Sequence, residues 1–509
     1  MTTGPAQTDL PADYRPWPAL WAMVIGFFMI LLDTTIVSVA TPAIMRGLGA
    51  DVNSVIWVTS AYLLAYAVPL LITGRLGDRF GPKNVYLIGL AIFTLSSLWC
   101  GLTDSIDGLI VARICQGLGA SLMSPQTMAV ITRTFPAHSR GQAMALWGAT
   151  AGVAMLVGPL LGGVLVDGPG WEWIFIINVP VGVVAAVLAL RLVPRMVTHT
   201  HAFDIPGVVL SAVALFCIVF GIQEGEKYDW GRFDDVDVPD WLAPVVSVPG
   251  LIGVGVVVFA VFLWWQHRNT NEPLLPLGLF ADRNFSIANL GISTVSFAIT
   301  ALSVPFMFWA QGVRGWTPTE SALLLVPMAL FSAGLAPVVG RLVDRLHPRS
   351  ITLVGFAGAM VAVTALSFGM EPHASVWRLL LPLALLGVAN ACLWAPLSAT
   401  ATRNLPMSAA GAGAGVYNTT RQVGAVIGSA AIAAVMQARL AVELPGAEVS
   451  ETSSRVLPEA AHEGFSAAMS QAMLLPAVIL VLGLVAVLFF QAPRHERAAA
   501  ASAAGSSRP

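Results

Sequence analysis

The chain has 509 residues, of which 56% are hydrophobic and 11% charged, with a formal net charge of −2. Soluble domains carry roughly 25% charged residues, so this composition excludes an ordinary soluble protein unless most of its outside faces lipid. A near-neutral chain also lacks the basic field that nucleic-acid binding requires.

The first eighteen residues are polar and Pro-rich, with Arg15 just before the first apolar run. That run, about 19–43, exceeds the core of a signal peptide and is read as a retained first helix. A hydrocarbon core of about 30 Å takes ~20 helical residues to cross. On that length the sequence predicts spans at 19–43, 55–76, 84–102, 105–128, 140–166, 172–192, 204–223, 249–266, 286–311, 317–340, 350–370, 377–402, 408–437 and 468–490. The expected fold is an all-α integral membrane protein of fourteen transmembrane helices.

Fourteen spans put both termini on one side, and the positive-inside rule picks that side. With the N-terminus inside, the inner segments hold 17 of the 26 Lys and Arg residues, the outer segments seven, and Arg113 and Arg421 lie within helices. Both termini are therefore expected in the cytoplasm. The outer segments 224–248 and 438–467 read as polar surface loops, with Glu224 at a solvated helix end, and the tail 494–509 as disordered.

Two inner segments match. Gly74-Arg75-Leu76-Gly77-Asp78-Arg79-Phe80-Gly81-Pro82-Lys83 follows the second span, and Gly340-Arg341-Leu342-Val343-Asp344-Arg345-Leu346-His347-Pro348-Arg349 follows the tenth. In a duplication of six helices the second copy would follow the eighth span. The offset of two implies an N-terminal six-helix bundle over 19–195, an inserted helix pair over 196–270 and a C-terminal bundle over 271–493, behind a cytoplasmic segment 1–18. Duplicated bundles with a site between them are a transporter design.

Asp33 is the one acid placed in mid-span. A carboxylate there costs about 2.5–3.5 kcal/mol or more, so it is expected to face a polar cavity with a partner and to handle a proton. Arg113 lies at matching depth, roughly 12 Å below the outer surface by helix rise, and is the candidate partner. Gly152, Gly158, Gly162 and Gly163 form a small-residue face on the fifth span, where Pro159 bends the helix. Trp57, Tyr62, Met155, Phe306 and Trp394 supply an aromatic and Met-bearing interior suited to amphiphilic aromatic or cationic compounds. Arg421 is a second buried cation, read as lining the cavity or neutralising Asp33. The two lysines are followed by Asn84 and Tyr228, so no phosphate-binding G-x-x-x-x-G-K-[ST] loop exists and transport is expected to run on a gradient. Cys100, Cys115, Cys217 and Cys392 show no ligand spacing, and the eight histidines fall in predicted loops or tails with no helical pairing. Neither a metal centre nor an enzyme is expected. A channel or receptor is the rival of another class, but a channel commonly builds its symmetry from several chains, whereas here it lies within one.

These segments together resemble the major facilitator superfamily, in its fourteen-helix drug:proton antiporter branch. Gly74–Lys83 is similar to the signature after the second helix, with Pro82 where the pattern carries Arg. Leu32-Asp33-Thr34-Thr35-Ile36-Val37 with Ala40 and Pro42 resembles the first-helix motif, and Arg113 with Gln116-Gly117-Leu118-Gly119-Ala120 the fourth-helix motif. Gly158-Pro159-Leu160-Leu161-Gly162-Gly163 resembles the fifth-helix antiporter motif. Trp171-Glu172-Trp173, Asn178-Val179-Pro180 and Arg421-Gln422-Val423-Gly424 are similar to further branch signatures.

The resemblance implies a monomeric multi-pass protein of the bacterial inner membrane, without cofactor apart from the coupling proton, that exports drugs or other amphiphilic small molecules by alternating access. Dedicated transport of one metabolite, out or in, is the alternative. The resemblance further implies gating by Gly74, Asp78, Arg79, Gly158, Pro159, Asp344 and Arg345, coupling by Asp33 and Arg113, and a substrate cavity that includes Gln116 and Asn178.

Overall fold

A computed structural model describes residues 14–135, 137–196, 198, 204–233, 246–269, 273–343, 347–403, 405, 410–444 and 457–491, and everything below refers to these. The helices, in order, are α1 (Pro16–Leu48), α2 (Val52–Ala67), α3 (Leu70–Phe80), α4 (Pro82–Leu102), α5 (Ile106–Thr134), α6 (Ala137–Asp167), α7 (Trp173–Ile176), α8 (Asn178–Leu192) and α9 (Ile205–Glu224). They continue with α10 (Val248–Arg268), α11 (Arg283–Gly312), α12 (Pro318–Leu323), α13 (Val326–Val343), α14 (Pro348–Gly369), α15 (Trp377–Arg403), α16 (Ala410–Glu443), α17 (Glu459–Ala472) and α18 (Leu474–Val487). Twelve stretches are long and apolar enough to cross a bilayer. Val52–Phe80 makes a thirteenth if its two arms are taken as one span.

Several spans are broken where the sequence reading had them continuous. Pro69 lacks an amide proton and cannot continue the helix ladder, so α2 and the following arm meet at 52°. The repeat after the second span is mostly helical rather than a loop. Gly74 through Phe80 finish α3, Gly81 turns at φ 86°, and Pro82 starts α4 at the first helical position. Gly81 is needed there because that backbone region disfavours a Cβ. In the second copy Pro348 likewise opens a helix, capped by His347, while Asp344 and Arg345 lie outside the described residues.

The segment expected as the outer loop 438–467 is helical at both of its described ends: α16 runs on to Glu443 and α17 begins at Glu459. Histidine placement differs too, since His138, His267 and His462 stand within helices.

Helices α1 to α8 pack among themselves, as do α11 to α18, and α9 pairs with α10. The two groups meet where α2 lies on α16, α1 on α11 and α6 on α12 and α13. At mid-height Ser60 and Ser429 share a hydrogen bond of 2.8 Å. At the end of the molecule where α1 finishes, Gln311 Nε2 donates to Val39 O at 2.9 Å and the Thr319 amide to Asp167 Oδ2 at 2.9 Å.

The glycines of α6 explain the close approach there. A Cβ on Gly162 would stand 2.7 Å from Ile36 Cγ1 of α1, and one on Gly163 would stand 2.6 Å from the Thr319 Cα across the seam. Gly158 is pressed against Thr35 in the same manner, with Pro159 buried beside it. The α9–α10 pair lies over the α2–α16 seam through α9, while α10 turns most of its surface outward.

Candidate functional site

Asp33 is fully buried on α1, and its carboxylate is saturated. Arg113 Nη1 on α5 donates to Oδ2 at 2.5 Å. Gln116 Nε2, one turn further along α5, donates to Oδ1 at 2.9 Å, and Asn178 Nδ2 at the start of α8 reaches the same oxygen at 3.3 Å. Ser97 of α4 accepts from Gln116 at 2.7 Å and from Asn178 at 3.5 Å. Four helices thus converge on one acid.

The guanidinium is equally enclosed. Arg113 Nε donates to Val58 O at 3.0 Å and Nη1 to Gln116 Oε1 at 2.6 Å, while Tyr62 lies under the cation with its ring centre 4.0 Å away. Phe175 of α7 covers another side at 5.6 Å. A buried ion pair repays its desolvation only when further hydrogen bonds satisfy both ions, and this network supplies them. Cys100 completes the wall through a weak contact to Gln116 Oε1 at 3.8 Å.

Several sequence expectations change here. The cavity expected beside Asp33 is closed: amide and guanidinium donors stand where water would, and no solvent touches the carboxylate. Tyr62, Gln116 and Asn178, expected to line a substrate cavity, are fully buried members of the Asp33 network instead. Ser97 was not foreseen, because a lone serine in an apolar span carries no sequence signal.

Phe306 is buried in the core near Trp309. The Met155 side chain lies outside the described residues.

Trp57 and Glu224 form a second buried polar centre. Glu224, expected to be solvated, is only 6% exposed. Its Oε1 accepts from Asn53 Nδ2 at 2.7 Å and from Trp57 Nε1 at 2.6 Å, which ties the end of α9 to α2. Trp57 therefore faces the α9–α10 pair, packed on Phe220.

Asp204, just before α9, pins the other end of that pair. It caps the Gly207 amide and accepts from Trp265 Nε1 at 2.7 Å, Gln266 Nε2 at 2.6 Å and the Leu274 amide at 3.2 Å. Burial pushes its carboxyl up, but these hydrogen bonds outweigh burial and hold it below its ordinary value. A depressed acid stabilises the fold above its unfolded value of about 4 and loses that contribution as pH falls through its folded value. Asp204→Asn is therefore expected to lower stability by about 1–2 kcal/mol at neutral pH. Thermal unfolding of the purified protein checks this, with the gap between variant and wild type closing below about pH 4.

Among the expected gating residues, Asp78 pairs with Arg133 and thereby ties α3 to α5. Arg79 stacks on Phe80. Gly74 has ordinary contact distance to Pro125, whereas Gly77 is the position where a side chain would collide with Gln126. Arg75 Nη2 reaches Pro273 O at 2.5 Å, a link between α3 and the segment after α10 that no motif announced.

The sequence profile described as the Major Facilitator Superfamily matches residues 23–429, and the chain belongs to that superfamily. It is 51% identical to an uncharacterized MFS-type transporter of Mycobacterium tuberculosis (strain ATCC 25618 / H37Rv) over 497 residues, 96% of this chain and 83% of the relative. It is 33% identical to the tetracenomycin C resistance and export protein of Streptomyces glaucescens over 88% of this chain and 81% of that protein. The multidrug resistance protein Stp of Mycobacterium tuberculosis (strain CDC 1551 / Oshkosh) is 34% identical over 84% and 76%.

Among solved structures, the fold is similar to a bacterial homolog of the human lysosomal transporter Spinster in an inward-facing, occupied conformation. The TM-score is 0.64 at 16% identity, covering 94% of this chain and 97% of that one. A D-xylose-proton symporter gives 0.60 at 14%, covering 93% and 96%. This protein is a transporter rather than an enzyme, and a multi-pass protein of the bacterial inner membrane.

Proposed function

We propose that the protein exports drugs or other amphiphilic small molecules in exchange for protons, by alternating access between two six-helix bundles. The observation that carries this reading is Asp33 itself: a carboxylate buried in an apolar bundle, paired with Arg113 at 2.5 Å and held by two side-chain amides. A buried acid with so specific a cage is a functional group by default in a membrane protein. When the bundle loosens, water reaches the carboxylate, the Arg113 contact weakens, and the acid takes up a proton. Reclosure favours the ionised, paired form and returns the proton on the opposite side. Export is favoured over uptake because relatives at 33% and 34% identity are an antibiotic resistance and export protein and a multidrug resistance protein.

The reading extends to topology. We place fourteen spans in the membrane, counting α2 with α3 and α6 as one each, with both termini in the cytoplasm. The bundles occupy 19–195 and 271–493, and the pair over 196–270 rides on their seam. The Asp167–Thr319 and Gln311–Val39 ties then lie on the outer side and hold that face shut in this arrangement. The Asp78–Arg133 pair brackets the inner ends of α3 and α5, and Asp344 and Arg345 do the corresponding work in the second repeat. Pro159 and the glycines of α6 let the outer seam close tightly.

The test is dye uptake into everted membrane vesicles. With an inside-acid gradient imposed, vesicles carrying the protein should accumulate an amphiphilic dye, and a protonophore should release it. Accumulation that survives collapse of the proton gradient contradicts proton exchange.

A further inference from the structure

Arg421 sits about three turns into α16, on the side of the seam where α2 packs. No carboxylate pairs with it among the described residues, and Asp33 is already taken up by Arg113. Its surroundings are aromatic and donor-rich. The guanidinium lies 5.9 Å from the centre of the Trp394 ring on α15, and its charge acts on the Tyr66 phenol of α2 and the Tyr417 phenol one turn below it on α16.

Three buried polar atoms on α15 and α16, the helices that carry Trp394 and this cation, have no hydrogen-bond partner: Trp394 Nε1, the Tyr417 hydroxyl and Asn390 Nδ2. Asn390 is 1% exposed and Tyr417 7% exposed. Asn390 stands four residues before Trp394, so the two share one face of α15. A buried polar group left without a partner is costly, because its desolvation goes uncompensated.

All three orphans can donate, and the one charge among them is positive. A structural polar cluster mixes donors with acceptors so that each satisfies another, as the Asp33 cage does. A set of donors around an uncompensated cation instead fits a ligand that brings the acceptors. Arg421 and Trp394 are half-buried while the three orphaned atoms are enclosed, so a ligand reaches them when the two bundles part.

We propose that Arg421, Trp394, Tyr417 and Asn390 form the substrate subsite that receives an anionic, oxygen-rich end of an aromatic amphiphile, such as a carboxylate or phenolate. This inference builds on the export reading and names its substrate class. It replaces the expectation of cationic compounds with a preference for acidic ones. Arg421 neutralises the anion, the orphaned donors donate to its remaining lone pairs, and the Trp394 and Tyr66 rings flank its aromatic body.

Two xanthene dyes of the same size and opposite charge test it: fluorescein, an anion, and rhodamine 123, a cation. Binding is measured by fluorescence anisotropy on the purified full-length protein in zwitterionic lipid nanodiscs, with no gradient present. Wild type is expected to bind fluorescein the more tightly. Arg421→Gln should weaken fluorescein binding at least about tenfold, the loss of one charge-assisted contact, while leaving rhodamine 123 unchanged or tighter. Arg421→Lys should retain most of the affinity.

Tyr417→Phe keeps the ring and deletes only the hydroxyl, and should weaken fluorescein alone by about threefold to tenfold. This variant keeps the test alive if Arg421→Gln does not fold. The subsite is refuted if wild type fails to bind fluorescein, if Arg421→Gln or Tyr417→Phe leaves its affinity intact, or if both dyes weaken equally. Because binding is read without a gradient, absence of proton-driven flux would defeat the export reading and leave this result standing, and the reverse also holds.

Discussion

Vesicles carrying Asp33→Asn are expected to lose proton-driven accumulation while the protein still folds. Asn is nearly isosteric, and its Oδ1 can still accept from Gln116 and Asn178, which approach Asp33 Oδ1 at 2.9 and 3.3 Å. What disappears is the exchangeable proton. One proton moving down 100 mV supplies ~2.3 kcal/mol, enough for roughly a fifty-fold substrate gradient. Without it the steady-state gradient should fall to about unity, while substrate still equilibrates across the vesicle membrane. Dye accumulation at fixed imposed gradients measures the difference, and an Asp33→Asn variant that accumulates dye as wild type does would remove the coupling assignment.

The second large effect concerns the partner. Arg113→Met leaves the Asp33 carboxylate buried with two amide donors and no cation, in a wall built from Tyr62, Phe175 and Cys100. Breaking a buried pair from one side costs about 3–5 kcal/mol, so a pronounced fall in thermal stability is expected. Combining Arg113→Met with Asp33→Asn removes the stranded charge and should recover most of that loss, without restoring transport. Unfolding of the two single variants and the double variant closes the cycle. Additive losses would mean that the 2.5 Å contact carries no mutual stabilisation.

Much of the molecule was legible in its residues. The hydrophobic runs located the helices because crossing lipid leaves few other backbone solutions. Asp33 stood out because an acid in that setting is expensive, and Arg113 because its depth could be counted. The sequence failed where the decisive fact was three-dimensional or local. Pro69 breaks a span whose hydropathy reads straight through it. Tyr62 read as part of an aromatic interior and Gln116 and Asn178 as cavity residues, whereas the packing sets Tyr62 under Arg113 and turns both amides onto Asp33.

Glu224 at a helix end looked solvated, and only the packing of α9 over α2 shows that Asn53 and Trp57 enclose it. Asp204 carried no signal in the sequence, yet Trp265 and Gln266 on the next helix make it the clamp of the hairpin. The orphaned donors near Arg421 lie on α15 and α16 and the Tyr66 ring on α2, so no linear motif gathers them.

Coupled export requires the Asp33 carboxyl to exchange its proton when substrate binds. Proton release from the purified protein in weakly buffered solution, followed with a pH indicator as substrate is added, measures that directly. Wild type is expected to release protons on binding and Asp33→Asn none, at equal substrate occupancy. Equal release from both proteins would contradict it.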